Sequence, residues 1–444
     1  MTGVPTPADG HASRSGTKAT KLTRPALRAV FFVFFVIFAP ERLAVGASRA
    51  PQEATSPRQH WVGTWATAPA GVSGTAEEFR NETLRLIVHT SAGGEQVRVR
   101  ISNAFGTEPL VIGAAHVAQR SQQAGIVGGS DRALAFGGRA SFSVPPGALV
   151  VSDPVALHVA PLSDLAVSIF LPGATRESTT HVTALQTNYV SKPGDFTGAI
   201  AFDAARTLTR WPFLAGVDVS GTPPAGAIVT FGDSITDGAN STAGANHRWP
   251  DYLAARLQQR ADLRHLGVLD EGIIGNRILH STEPQFGNLF GPAGLARFDR
   301  DVIAQAGVRY LIVLLGINDI GHPGGSAPAS DAVSAEEMEA GYRQMIVRAH
   351  AHGIKVFAAT LLPFEGTTLA DFYSAEKETK RQAVNQWIRT GGAFDAVIDF
   401  EKAVRDPQHP ARMLPAYDGG DHLHPSDAGM QAMASAIPLE LFKQ

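Results

Sequence analysis

Four short polar segments of this chain follow apolar runs, and together they hold a hydroxyl, amide donors, a carboxylate and an imidazole. The first is Ile228-Val229-Thr230-Phe231-Gly232-Asp233-Ser234-Ile235-Thr236-Asp237-Gly238. A serine on a tight strand-to-helix turn can expose its Oγ, and its own backbone N–H can join a site for an oxyanion. Gly232 would permit that turn, although the same serine could equally cap a helix. The second is Asp270-Glu271-Gly272-Ile273-Ile274-Gly275-Asn276-Arg277, whose glycines let a backbone N–H approach a ligand closely and serve ordinary turns as readily. In the third, Val313-Leu314-Leu315-Gly316-Ile317-Asn318-Asp319, an asparagine directly after a buried strand can donate into a site or cap the next loop. The fourth is Asp421-His422-Leu423-His424-Pro425. Asp421 and His424 are three apart, so on one turn the carboxylate can hold the imidazole's tautomer and stabilise its charged form. A solvated polar loop is one alternative. A metal site of Asp421, His422 and His424 is another, though it lacks a fourth ligand at motif spacing.

The elements that must carry these segments change character half-way along the chain. From His60 to Pro212 the pattern is strand-like: Val97, Val99 and Ile101 alternate with Arg98, Arg100 and Ser102, which predicts a polar outer face. Short apolar runs recur at Leu84–His89, Val155–Val159 and Leu165–Leu171, separated by Gly- and Pro-rich turns. No helix is legible there, so residues 60–215 read as an antiparallel β-sandwich. After the stretch Gly221-Thr222-Pro223-Pro224-Ala225-Gly226, strands and helices alternate over residues 225–444. Ala227–Phe231, Tyr310–Leu315, Lys355–Thr360 and Ala396–Phe400 read as strands. Pro250–Gln259, Ala335–His352, Ser374–Thr390 and Pro425–Phe442 read as helices. That alternation predicts an α/β domain, a parallel sheet between two helical layers, whose ligands bind at the C-terminal ends of the strands.

The chain has 444 residues, 44% hydrophobic and 18% charged, ample for a large core. There is no cysteine, so thiol catalysis, disulfides and Cys-ligated zinc are excluded. Arg14, Lys18, Lys21, Arg24 and Arg28 precede an eleven-residue apolar run, Ala29–Ala39, and Val45 and Ala47 follow as small residues. This is the pattern of a signal peptide over residues 1–47, with an uncleaved anchor as the alternative; either predicts a secreted or periplasmic body. Removing residues 1–47 takes away six basic and two acidic residues, leaving 32 basic against 39 acidic. That balance gives no footprint for nucleic acid.

Taken together, the four segments resemble those of the SGNH (GDSL-type) hydrolases, in that family's order from Ala227 to Gln444. The resemblance implies Ser234 as nucleophile, the Ser234 and Gly275 amides with the Asn318 side chain as oxyanion hole, and Asp421 and His424 as acid and base. Here Gly-Asp-Ser is followed by Ile235 where the namesake has leucine, and Ile274 stands where relatives often have glycine. His422 does not match the motif histidine. His60-Trp61-Val62-Gly63-Thr64-Trp65-Ala66 and Val97–Asn103 look like the N-terminal sandwich of exported members. There Trp61 and Trp65 would either stack on sugar rings or fill the core. The implied chemistry is two-step acyl transfer without metal or cofactor and without an obligate protein partner. The expected substrate is an ester of a short acyl group, such as O-acetyl on carbohydrate, with lipase or lysophospholipase action on longer acyl chains as the alternative. An inactive carbohydrate-binding protein is the reading from a different class.

Overall fold

A computed structural model describes residues 60–222, 225–282 and 288–443. The expected signal segment, residues 1–47, lies outside the described residues.

The N-terminal half is a sandwich of antiparallel sheets. One sheet orders His60–Ala66, Leu214–Gly221, Gly94–Ser102 and Val155–Val159, with Leu149–Val151 also on Gly94–Ser102. The other orders Ala204–Leu208, Asn188–Pro193, Glu78–His89, Asp164–Arg176, Ala114–Gln119 and Arg132–Ala133. Period-two alternation sends Leu84, Leu86, Val88, Val97, Val99, Ile101, Val167 and Val217 into one shared core. Trp65 belongs to that core, edge-on to Trp211 with ring centres 4.9 Å apart. Trp61 is half-buried beneath the Arg98 guanidinium, 4.5 Å from its ring centre. Neither is an open platform for a sugar.

The other face of the first sheet is polar, as the alternation predicts, but it is not solvated. Arg98 and Arg100 both bind the buried carboxylate of Asp218, and Arg100 also reaches Ala304 O and Gln305 Oε1 of the second half. Periodicity tells the two faces of a strand apart without saying what covers each of them, and here the second half covers the polar one.

That second half holds a five-stranded parallel sheet. Its order is Leu266–Gly272, Gly226–Gly232, Val308–Leu314, Lys355–Ala359 and Ala396–Ile398, a doubly wound arrangement with the reversal beside Gly226–Gly232. Ile228, Val229, Phe231 and Leu311–Leu314 are all buried, as befits strands covered on both faces. Helices Trp249–Gln258, Ala335–Ala351, Ala375–Thr390 and Asp427–Ala436 cover the sheet. The strand Leu266–Gly272 is absent from the sequence reading because Gly267, Asp270 and Glu271 interrupt its apolar run. The last helix also differs. The sequence predicts it over Pro425–Phe442, but Ser426 caps it and it stops at Ala436, with Leu439–Phe442 forming a separate 3₁₀ turn. Pro438 is the reason, since it pushes Ile437 into an extended conformation (ψ 116°). Likewise the last strand ends at Ile398, and Asp399 caps the helix Phe400–Val404 instead of extending the strand.

The two halves meet along the edge strand Leu266–Gly272. Ser91 Oγ accepts from the Val268 amide (2.8 Å) while its own proton goes to the Thr64 carbonyl (2.6 Å), which ties the edge strand to the first half. A Cβ on Gly267 would stand 2.1 Å from the Gly63 carbonyl, so only glycine allows this contact. Val62 and Ala66 of the first half belong to the core of the second.

Candidate active site

Ser234 opens a single helical turn, Ser234–Asp237, immediately beyond the strand Gly226–Gly232. The cap of that turn is Asp233, whose carboxylate accepts from the Ile235 amide at 3.0 Å, so the serine hydroxyl is left for other work. Gly232 is needed for closeness, not for a special backbone angle. A Cβ there would lie 2.1 Å from Thr236 Oγ1 and 2.5 Å from the Leu314 carbonyl. The amides of Gly238 and Ala239 close the turn onto the Ser234 carbonyl.

His424 reaches this serine across 190 residues of sequence, its Nε2 2.8 Å from Ser234 Oγ. Its Nδ1 stands 2.6 Å from Asp421 Oδ2, and the Leu423 and His424 amides donate to Asp421 Oδ1 at 3.0 and 2.8 Å. A carboxylate only accepts, so Nδ1 carries the proton and Nε2 is free to accept from the hydroxyl. Burial would raise the pKa of Asp421, but the His424 ring and these amides outweigh it and hold the carboxyl well below its usual range. His422 turns away to pair with Asp418, and it sits at φ 58°. The trio suggested for a metal is therefore not brought together, and among the described residues no group of three His, Asp or Glu could hold one.

Gly275 and Asn318 line the same cavity as Ser234 and His424. Gly275 has φ +69°, and a Cβ there would meet the Phe290 ring at 2.1 Å, two independent reasons for glycine. Asn318 is the second residue of the helix Ile317–Gly321 and not a loop cap; its Nδ2 donates to the Asn276 carbonyl at 3.0 Å. That bond uses one of its two amide hydrogens.

Residues that the sequence reading did not single out hold this loop. Asp319 accepts from the Ile278 and Leu279 amides at 2.7 and 3.1 Å. Arg297 is fully buried and donates to the Gly232 carbonyl (2.8 Å), the Glu271 carbonyl (2.8 Å) and Asn276 Oδ1 (3.0 Å), so it ties the ends of two strands to the loop. The only local signal for it is an arginine within an apolar helical turn. Burial pushes the carboxyls of Asp233 and Asp319 up, to about 7 and about 6. Burial and the nearby Arg277 push His322 down to about 4, so its ring is neutral where it meets Phe290 in a stack 4.8 Å between centres. The cavity has a volume of about 500 Å³, and Ile274, Phe290, Leu369, Phe372 and Leu423 make its walls largely apolar.

The family model for GDSL-like lipases and acylhydrolases matches residues 230–432, which contain Ser234, Gly275, Asn318, Asp421 and His424. The second half of this chain is a GDSL-like lipase/acylhydrolase domain. The chain is accordingly a carboxylic ester hydrolase. Solved structures similar to this chain include a catalytic mutant of an acetylxylan esterase from Geobacillus stearothermophilus. It is 22% identical, covers 50% of this chain and 96% of its own, and has a TM-score of 0.38. An aryl esterase from M. smegmatis is 17% identical over 48% of this chain and 96% of its own, with a TM-score of 0.37. A GDSL-like lipase from Bacteroides thetaiotaomicron is 20% identical over 47% and 84%, with a TM-score of 0.33. No curated protein matches the chain.

Proposed function

We propose that this chain is an exported serine esterase in which Ser234, His424 and Asp421 form the catalytic triad. The observation that carries the reading is the unbroken chain of 2.8 and 2.6 Å contacts from Ser234 Oγ through the imidazole to Asp421. Ser234 Oγ attacks the ester carbonyl while its proton passes to His424 Nε2, and the resulting imidazolium is stabilised by Asp421. The Ser234 and Gly275 amides and the Asn318 side chain hold the tetrahedral oxyanion. Collapse breaks the bond to the alkoxy oxygen, which takes the proton from His424 and leaves as the alcohol. Water, deprotonated by the same nitrogen, then attacks the acyl-serine, releasing the carboxylic acid and returning the proton to Ser234. Export rests on the signal-like pattern of residues 1–47.

The apolar walls of the cavity support an ester with an apolar acyl or aryl group larger than acetyl. A second reading has its own observation. The loop segments that line this cavity at Leu369 and Leu423 also border a neighbouring one of about 500 Å³, where Glu365, Asp406, His409, Arg412 and His422 offer the hydrogen-bonding partners of a sugar. That arrangement supports an acylated carbohydrate, with its acyl group on the Ser234 side. The test is hydrolysis of p-nitrophenyl esters from C2 to C16 by wild type and Ser234→Ala. We expect turnover peaking at C4–C8 and lost in the variant. A sharp preference for C2 favours acetylated sugar, and a peak at the longest chains favours a lipase. Wild-type turnover in folded Ser234→Ala overturns the serine mechanism. Polysaccharide binding with no ester turnover by the wild type would make the protein a binding module.

A further inference from the structure

Among the described residues of the N-terminal half, His181 reaches the turn that begins with Ser234. His181 ends the short strand Thr179–His181, which pairs with Trp211–Pro212 and Ala70–Gly71, and it is only 4% exposed. Its Nδ1 lies 2.9 Å from the Ala68 carbonyl, an obligate acceptor, so that nitrogen is protonated. Its Nε2 lies 2.9 Å from Asp237 Oδ1. Asp237 is buried and ends the single turn that begins with Ser234. Its second oxygen accepts from the Ile274 amide at 3.2 Å, one residue before Gly275. The turn and the loop are pressed together at this point, where a Cβ on Gly272 would stand 2.3 Å from the Asp237 nitrogen. Two acceptors facing the two ring nitrogens fit an imidazolium. Burial opposes that charge, but Asp237 and the Ala68 carbonyl outweigh it and raise the pKa of His181. Neither residue lines the cavity that Ser234 opens into.

We propose that His181 is a positioning residue for ester hydrolysis: through Asp237 it fixes the Ile274–Gly275 backbone against the Ser234 turn, so the two oxyanion-binding amides keep their spacing. The proposal rests on the Ser234 reading above, and it gives the N-terminal sandwich a part in catalysis. An amide held loosely is a weaker loss than one removed. The full chain carrying His181→Gln or Asp237→Asn therefore loses about tenfold in kcat on p-nitrophenyl butyrate, with KM within about twofold of wild type. Because the two side chains act through one contact, the double variant is no slower than the slower single one. A folded single variant with wild-type kcat, or one that changes KM alone, overturns the proposal. Ser234→Ala separates the two ideas: if it is inert while His181→Gln turns over normally, only the positioning role fails. Melting curves check the fold. Should His181→Gln not fold, Asp237→Asn, which keeps the side-chain size, carries the kinetic test. A readout on the wild type stands beside both: in nitrogen-15 spectra of the histidine-labelled protein recorded over a pH series, the imidazole signal that His181→Gln lacks keeps both nitrogens protonated to a higher pH than a free histidine does. The absence of that shift overturns the clamp as described.

Discussion

Replacing Asp421 with asparagine changes almost nothing in shape and reverses one hydrogen bond. Asparagine Oδ1 can still accept from the Leu423 and His424 amides, which anchor that oxygen at 3.0 and 2.8 Å. The other terminal atom becomes an NH₂ donor facing His424 Nδ1 across 2.6 Å, so Nδ1 must give up its proton and accept. The ring's proton moves to Nε2, where it points at Ser234 Oγ, and the imidazole can no longer take the serine proton. The imidazolium formed during attack also loses its counter-charge. A wrong tautomer combined with an uncompensated cation corresponds to a loss of about 10³–10⁴ in kcat, roughly 4–5.5 kcal/mol of barrier. KM and the melting midpoint should change little, since the side chain is near the surface and its amide contacts persist. The assay is steady-state hydrolysis of p-nitrophenyl butyrate at pH 8, well above the ordinary pKa of histidine, with circular dichroism melts alongside. A kcat within tenfold of wild type would refute the reasoning, because it would mean that Asp421 does not set the tautomer of His424.

Other substitutions probe separate parts of the site. Asn318→Ala should lower kcat by about 10²–10³ with little effect on KM, and an unchanged kcat would remove Asn318 from the oxyanion hole. Gly275→Ala places a methyl 2.1 Å from the Phe290 ring at a φ of +69°, so we expect about 1–3 kcal/mol of lost stability as well as lower kcat; an unshifted melting midpoint would contradict that packing. Asp270→Asn tests the electrostatics under the sheet end. Burial pushes the Asp270 carboxyl up to about 8 despite the opposing charge of Arg248, with Asp237 and Asp251 adding to the shift. Between about pH 4 and pH 8 the folded chain thus holds a proton that the unfolded chain has released. The contribution of Asp270 to stability therefore falls as pH rises through that window, by at most about 1.4 kcal/mol per unit. The midpoint of Asp270→Asn minus that of wild type should be larger at pH 8 than at pH 5, and equal differences would reject the shift.

Much of this fold was legible because it is written locally. Continuous apolar runs announced the strands Gly226–Gly232 and Val308–Leu314, and alternation over Val97–Ile101 announced the sandwich. The segments bearing Ser234, Gly275, Asn318, Asp421 and His424 could be picked out because each follows an apolar run or carries a compact polar motif. Pro438 was equally legible as a stop, yet the apolar pattern on either side masks it. The contacts that orient the site were not readable. Arg297, Asp319 and His181 act on residues 21 to 65 positions away, and nothing in their own neighbourhoods names those partners. Arg98 and Arg100 mark the limit differently, since a polar stripe looks the same whether it meets water or another half of the molecule.

The seam between Ser91 and Val268 also decides what the end strand of the sheet can meet. A parallel sheet that ends in an unpaired strand offers a template to which any extended chain can add. Leu266–Gly272 is such an end, and two glycines with one serine hydroxyl keep it occupied. Cutting the chain near Thr222 to free the hydrolase half would bare that ladder along with the apolar surface that Val62 and Ala66 cover. The isolated half would then present an uncovered strand edge to its own copies. The first half is, in that sense, a built-in chaperone that never leaves.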